Sequence, residues 1–198
     1  MLESHAFSST CQFDRVAAGH GFTDTCSFER YLTPLLVEAG IDNEKLRHAE
    51  AARCGVHQRL VAMAAREPRL TLWSAATMTT FTVCRGEGQV IWHELFPRDT
   101  VLRHGAAAVE ASARQAIWLA RQARSVWGAE AATLHLILAR SRGVDFENLH
   151  RVAATADLVL DVVTDPVHNP AEQCRHREAV DWDSSDLGGL LHPRRESA

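Results

Sequence analysis

The sequence predicts an α+β domain in which a β-hairpin and two later strands share their core with one long helix. Three observations predict it. Residues 70–84 (LTLWSAATMTTFTVC) carry no helical stripe and are rich in threonine, aromatic and β-branched side chains, the composition of a pleated, half-buried surface. Arg85-Gly86-Glu87-Gly88 then supplies turn chemistry before 89–96 (QVIWHELF) resumes the β-like pattern. Finally, an alanine-rich run from about Gly105 to Trp127 reads as one helix stopped by Gly128, followed by two apolar runs of strand length, 133–139 and 157–163.

Composition narrows the class. The chain has 198 residues, 46% hydrophobic and 23% charged, enough for one sizeable core and too apolar for disorder. With 21 Lys+Arg against 25 Asp+Glu the net charge is -4, which argues against a basic nucleic-acid-binding face. No apolar run is long enough to cross a bilayer, and the polar start lacks the pattern of a signal peptide. The five cysteines (Cys11, Cys26, Cys54, Cys84 and Cys174) are scattered, odd in number and without a C-x-x-C pair, so a reducing cytoplasm is expected rather than a disulfide framework or zinc finger.

Residues 1–68 read as a polar lead-in and helical extension. Thr25 or Ser27 can cap a helix from about Phe28 to Ala39, stopped by Gly40; Asp42 can cap a longer one to about Arg66, ended by Pro68. Leu46, Ala49, Ala52, Val56, Leu60 and Met63 recur there at helical spacing. Residues 69–164 form the main domain. In its long helix Val109, Ala113, Ala116, Ala120 and Ala123 make one face, widened by Ile117, Leu119 and Val126, and small side chains on both sides suit a helix enclosed by a sheet. Residues 165–198 read as a polar, extended tail with Pro166, Pro170 and Pro193. The linker from Ser141 to Ala156 is either a helix, giving a βαβ unit and a parallel sheet, or extended, continuing an antiparallel one.

The order hairpin, Phe96-Pro97, glycine, long helix, two strands resembles the hot-dog fold of 3-hydroxyacyl-thioester dehydratases and the related domain of the A-factor (γ-butyrolactone) biosynthesis family. Gly105-Ala-Ala-Ala-Val-Glu110-Ala111 keeps the dehydratase glycine-to-glutamate spacing, and Arg114-Gln115-Ala116 is similar to the Arg-Gln-Ala of the butyrolactone family. The resemblance covers roughly residues 78 to 164 and implies an antiparallel sheet wrapped around the long central helix, with the linker extended. It also implies an acyl-thioester ligand on an acyl carrier protein or coenzyme A, a homo- or heterodimer, and no metal or other cofactor.

The chemistry so implied places the thioester carbonyl at the amides of Gly105 and Ala106, where a helix start carries unpaired N–H groups and partial positive charge. Glu110 protonates the departing hydroxyl. Leu95 stands directly before Phe96-Pro97, where the dehydratases have their histidine base, so that role falls to His93 or His104. Phe96, Arg114 and Gln115 complete the substrate site. Read without the resemblance, each histidine is a hydrogen-bonded edge residue, and Glu110 is a carboxylate favoured near a helix start and paired with Arg114 at i+4. Two metal-like groupings, Glu50/Cys54/His57 and His168/Cys174/His176, are better explained as a solvated helix face and a loose segment. The expected function is therefore acyl-thioester binding with dehydration of a 3-hydroxyacyl chain. The alternatives are an inactive partner subunit of a hot-dog heterodimer and an α/β regulatory or scaffold protein without thioester chemistry. No nucleic-acid or membrane partner is expected.

Overall fold

The computed structural model describes residues 43–98, 100, 102–173 and 178–192. The lead-in, the helix predicted over 28–39, and Cys11, Cys26, Cys174 and His176 lie outside the described residues. The chain divides into two compact units, residues 1–58 and 59–198. Helix α1 (Asn43–Ala64) runs through the boundary. Of its predicted apolar face, Ala49, Ala52, Val56 and Met63 are exposed and Leu60 is buried.

The second unit is an α+β structure: a five-stranded mixed sheet with a long helix packed on it. Its elements are β1 (Arg69–Ala76), β2 (Thr80–Arg85), β3 (Gln89–Leu95), helix α2 (Gly105–Trp127), β4 (Ala132–Leu138), helix α3 (Phe146–Thr155), β5 (Leu158–Thr164) and a last helical turn, α4 (Pro170–Gln173). The strand order is β3-β2-β1-β4-β5, so β3 and β5 are the edges. Strands β1, β2 and β3 form an antiparallel meander, whereas β4 is parallel to β1 and β5 is parallel to β4.

The two parallel pairings correct the expected antiparallel wrap, and the linker is the reason. Residues 146–155 are helical: Asp145 caps them by accepting a hydrogen bond from the Asn148 amide at 3.0 Å, and Leu149 and Ala153 are buried on one face. A helical crossover returns the chain to the same end of the sheet and makes the next strand parallel. Helices α2 and α3 touch each other and pack against β1, β4 and β5, so α2 covers one face of the sheet rather than being enclosed by it. Its buried residues, among them Val109, Ser112, Ala113, Ala116, Ala120 and Ala123, meet Leu70, Leu72, Phe81, Val83, Leu134 and Leu136 from alternate sheet positions. Arg114 and Arg121 stay exposed.

The run 70–84 is two strands rather than one. Thr77 makes the break: its Oγ1 accepts hydrogen bonds from the amides of Thr79 (3.2 Å) and Thr80 (2.9 Å), a hydroxyl-built turn. The segment after β5 is not a loose tail either. Ala171 of α4 is fully buried against Ala75, Cys84 and Ala139 on the sheet face opposite α2. Val180 bridges His93, His192 bridges Arg69, and Leu190 and Leu191 are in the main core.

Candidate functional site

The first turn of α2 is where the predicted site residues converge in sequence, and its local structure follows from three neighbours. His104 is the N-cap, in extended conformation, and its Nδ1 accepts a hydrogen bond from the Ala107 amide at 3.2 Å. Gly105 is open: a side chain there would meet nothing within 4 Å. Ala106 is half-buried, because the β4–α3 loop crosses the helix at Gly143, where an added Cβ would lie 3.3 Å from that of Ala106. Gly143 has φ +77°, a left-handed conformation that favours glycine.

Glu110 is committed to the same loop. Its Oε1 accepts a hydrogen bond from the Asp145 amide at 2.8 Å, which ties the start of α3 to the second turn of α2. It makes no ion pair with Arg114, and among the described residues no carboxylate lies within 4 Å of the Arg114 guanidinium.

His93 is on the other side of the sheet. Its neighbours along the hairpin alternate: Phe81, Val83 and Trp92 belong to the core under α2, whereas His93 and its cross-strand partner Thr82 face away. The ring is buried, with Nδ1 2.7 Å from Thr82 Oγ1, and its backbone exchanges two 2.9 Å hydrogen bonds with Val180. The sheet therefore separates His93 from Glu110. His104 shares the Glu110 end of α2, with Nδ1 engaged as a cap.

Four of the predicted residues do come together. A cavity of about 320 Å³ opens along α2, lined by Phe96, Glu110, Arg114 and Gln115 together with Thr100 and Leu102. This is at the lower end of small-molecule sites. Its lining combines apolar Phe96, Leu102, Ala107 and Ala111 with polar Thr100, Glu110, Arg114 and Gln115.

Open α/β sheets commonly bind ligands beyond the carboxyl ends of their parallel strands. Here that region is filled by the chain's own polar groups. Ser74, at the end of β1, is buried with its Oγ 2.6 Å from Ser112 Oγ of α2. Ser112 donates to the Ala75 carbonyl at 3.1 Å, so the single proton it has is spent there and Ser74 is the donor between the two hydroxyls. Asn169, also buried, donates from Nδ2 to the carbonyls of Ser74 (3.3 Å) and Ile137 (3.2 Å) and accepts from the Ala171 amide at 3.0 Å. The Asn169 side chain thus stitches β1 to β4 where they end. Asp165 holds the approach to this strap: its Oδ1 accepts from the amides of His168 (2.8 Å) and Val167 (3.0 Å). The His168 amide holds the Asp165 carboxyl below its ordinary range, partial burial opposes it, and the Val167 amide and the His168 ring add to the lowering.

A further polar row escaped the sequence reading. On the face opposite α2, Thr71, His135 and Asp161 are direct neighbours across β1, β4 and β5, and His135 Nδ1 lies 2.9 Å from Asp161 Oδ2. The signal was the position of His135 and Asp161 at alternating, outward places of two otherwise apolar runs, legible only once the register is known. Among the described residues no group of three or more His, Cys, Asp or Glu is placed to hold a metal ion, and no helix is long and apolar enough to cross a membrane. No protein-family model matches the chain, and no curated protein sequence is similar to it.

Proposed function

We propose that the chain is an α/β protein of the regulatory or scaffolding kind, without thioester chemistry. One observation carries the proposal: the place beyond the ends of β1 and β4 is closed by the Ser74–Ser112–Asn169 network, whose hydrogen-bonding groups serve one another and the backbone. A group kept for catalysis needs a free donor, acceptor or lone pair aimed at a reacting atom. Dehydration asks for a base, an acid and helix amides around one carbonyl. The base candidate His93 lies across the sheet from Glu110, and Glu110 already accepts from the Asp145 amide. The first-turn amide of Ala107 is taken by His104, and Ala106 lies under Gly143.

The test is an assay of the full chain with 3-hydroxyacyl thioesters of coenzyme A and of an acyl carrier protein, following enoyl formation by the ultraviolet absorbance of the conjugated thioester. No turnover above the uncatalysed rate is expected for wild type, Glu110→Gln or His104→Ala. Turnover by the wild type that falls about 10²-fold or more in either variant overturns the proposal.

A further inference from the structure

We infer that β5 is the pairing edge of a homodimer, joined antiparallel to β5 of a second copy of this chain so that two sheets become one. The inference does not rest on the scaffolding proposal: thioester turnover overturns that proposal and leaves this one standing.

The sheet treats its two edges differently. At β3 the chain covers its own edge, where Val180 bridges His93 through two 2.9 Å backbone hydrogen bonds. At β5 no described residue does the same. The Ala132 amide donates to the Asp157 carbonyl and the Asp165 amide to the Leu138 carbonyl, so odd-numbered residues turn their N–H and C=O groups toward β4. Those of Leu158, Leu160, Val162 and Thr164 point outward, and among the described residues they meet no partner. Asp161 and Thr164 are exposed and Val163 is 40% exposed, so the flank is open to solvent.

Natural sheets guard an open edge with lysine, proline or a bulge. The β5 sequence LVLDVVT has no lysine or proline, and its pairing with β4 runs in register without a shift. Its one charge is drawn back over the sheet, because Asp161 Oδ2 lies 2.9 Å from His135 Nδ1 on β4. What fits such an edge is an extended strand, and the sequence suits its own copy. A two-fold axis normal to the sheet and centred on Val162 pairs Leu160 with the partner's Thr164. It sets Asp161 opposite the partner's Val163 and makes the two exposed Val163 side chains diagonal neighbours. An axis on Asp161 opposes two like charges. An axis on Leu160 runs Thr164 onto Ala156, before the strand begins.

The test is sedimentation velocity of the full chain between roughly 1 and 100 μM, a range that spans micromolar affinities. Amide hydrogen exchange over residues 158–164 is read at both ends of that range. A concentration-dependent monomer–dimer equilibrium is expected, with slower exchange in this segment at the higher concentration. Val163→Lys puts a charge on the edge, and Thr164→Pro removes an outward N–H without touching the β4 ladder. Each is expected to weaken dimerisation tenfold or more with the circular dichroism spectrum unchanged, and if one fails to fold the other decides. A chain that stays monomeric throughout overturns the inference. So does a dimer that survives the substitutions, or one that forms without protecting 158–164.

Discussion

Ser112 is the one polar residue on the buried, largely alanine face of α2, and its hydroxyl has two obligations. It accepts from Ser74 and donates to the Ala75 carbonyl, both inside a core from which water is excluded. Ser112→Ala removes the acceptor of one buried hydroxyl and the donor of one buried carbonyl, and is expected to destabilise the fold by about 1–3 kcal/mol in urea unfolding. Adding Ser74→Ala removes the stranded hydroxyl, so the double variant should lose less than the sum of the two single losses; strict additivity would mean that the two serines do not act as a pair. In the sequence Ser112 is a small residue among alanines, and nothing in its spacing separates a packing serine from a bonded one. The same holds for Asn169, which reads as a loop residue beside Pro170 until β1 and β4 are seen to end at its amide.

At the scale of elements, the β4–α3 segment sets the parallel pairing of β5 and anchors Glu110 through the Asp145 amide. Its Gly143 has φ +77° and lies so close to Ala106 that an added Cβ sits at 3.3 Å, whereas Gly105, at the start of α2, faces open space. Gly143→Ala is therefore expected to destabilise by about 1–3 kcal/mol, and Gly105→Ala to leave the melting temperature unchanged or slightly raised. Equal effects of the two would show that the loop does not depend on its left-handed turn. Legibility at this scale was uneven for physical reasons. The long helix was readable because its alanine-rich apolar face and its terminal glycine agree, whereas the capping role of His104 was not read. The linker 141–156 carried a correct helical signal in Asp145, Leu149 and Ala153, and the resemblance to an antiparallel fold overrode it. The turn at Thr77 was missed because a threonine hydroxyl does there what glycine or proline usually does. Of the expected site, Phe96, Glu110, Arg114 and Gln115 share one cavity because three of them lie on one helix at i, i+4 and i+5. His93 left the set because strand parity, which flips a side chain with each residue, cannot be counted through the bulge between Val83 and Cys84 without the structure.

For the molecule as a whole, several of the described residues after β5 contribute to the core. Leu190 and Leu191 are 4% and 3% exposed, and Trp182 stacks edge-on with Trp118 of α2 at 4.8 Å. Removing residues 178–198 is expected to cost about 3–6 kcal/mol from the two leucines alone, read as a lowered midpoint in thermal denaturation followed by circular dichroism. An unchanged midpoint would show that the segment is an appendage. The strand order has a consequence for how the chain is made. The meander partners of β1 follow it directly in the chain, so one flank of the central strand is satisfied while synthesis is still under way. Its other flank waits for β4, which leaves the ribosome only after all of α2 has been made. During that interval α2 can already cover the face that carries Leu70 and Leu72, and a nascent chain stalled before Ala132 leaves the backbone hydrogen-bonding edge of β1 unpaired and open to another strand.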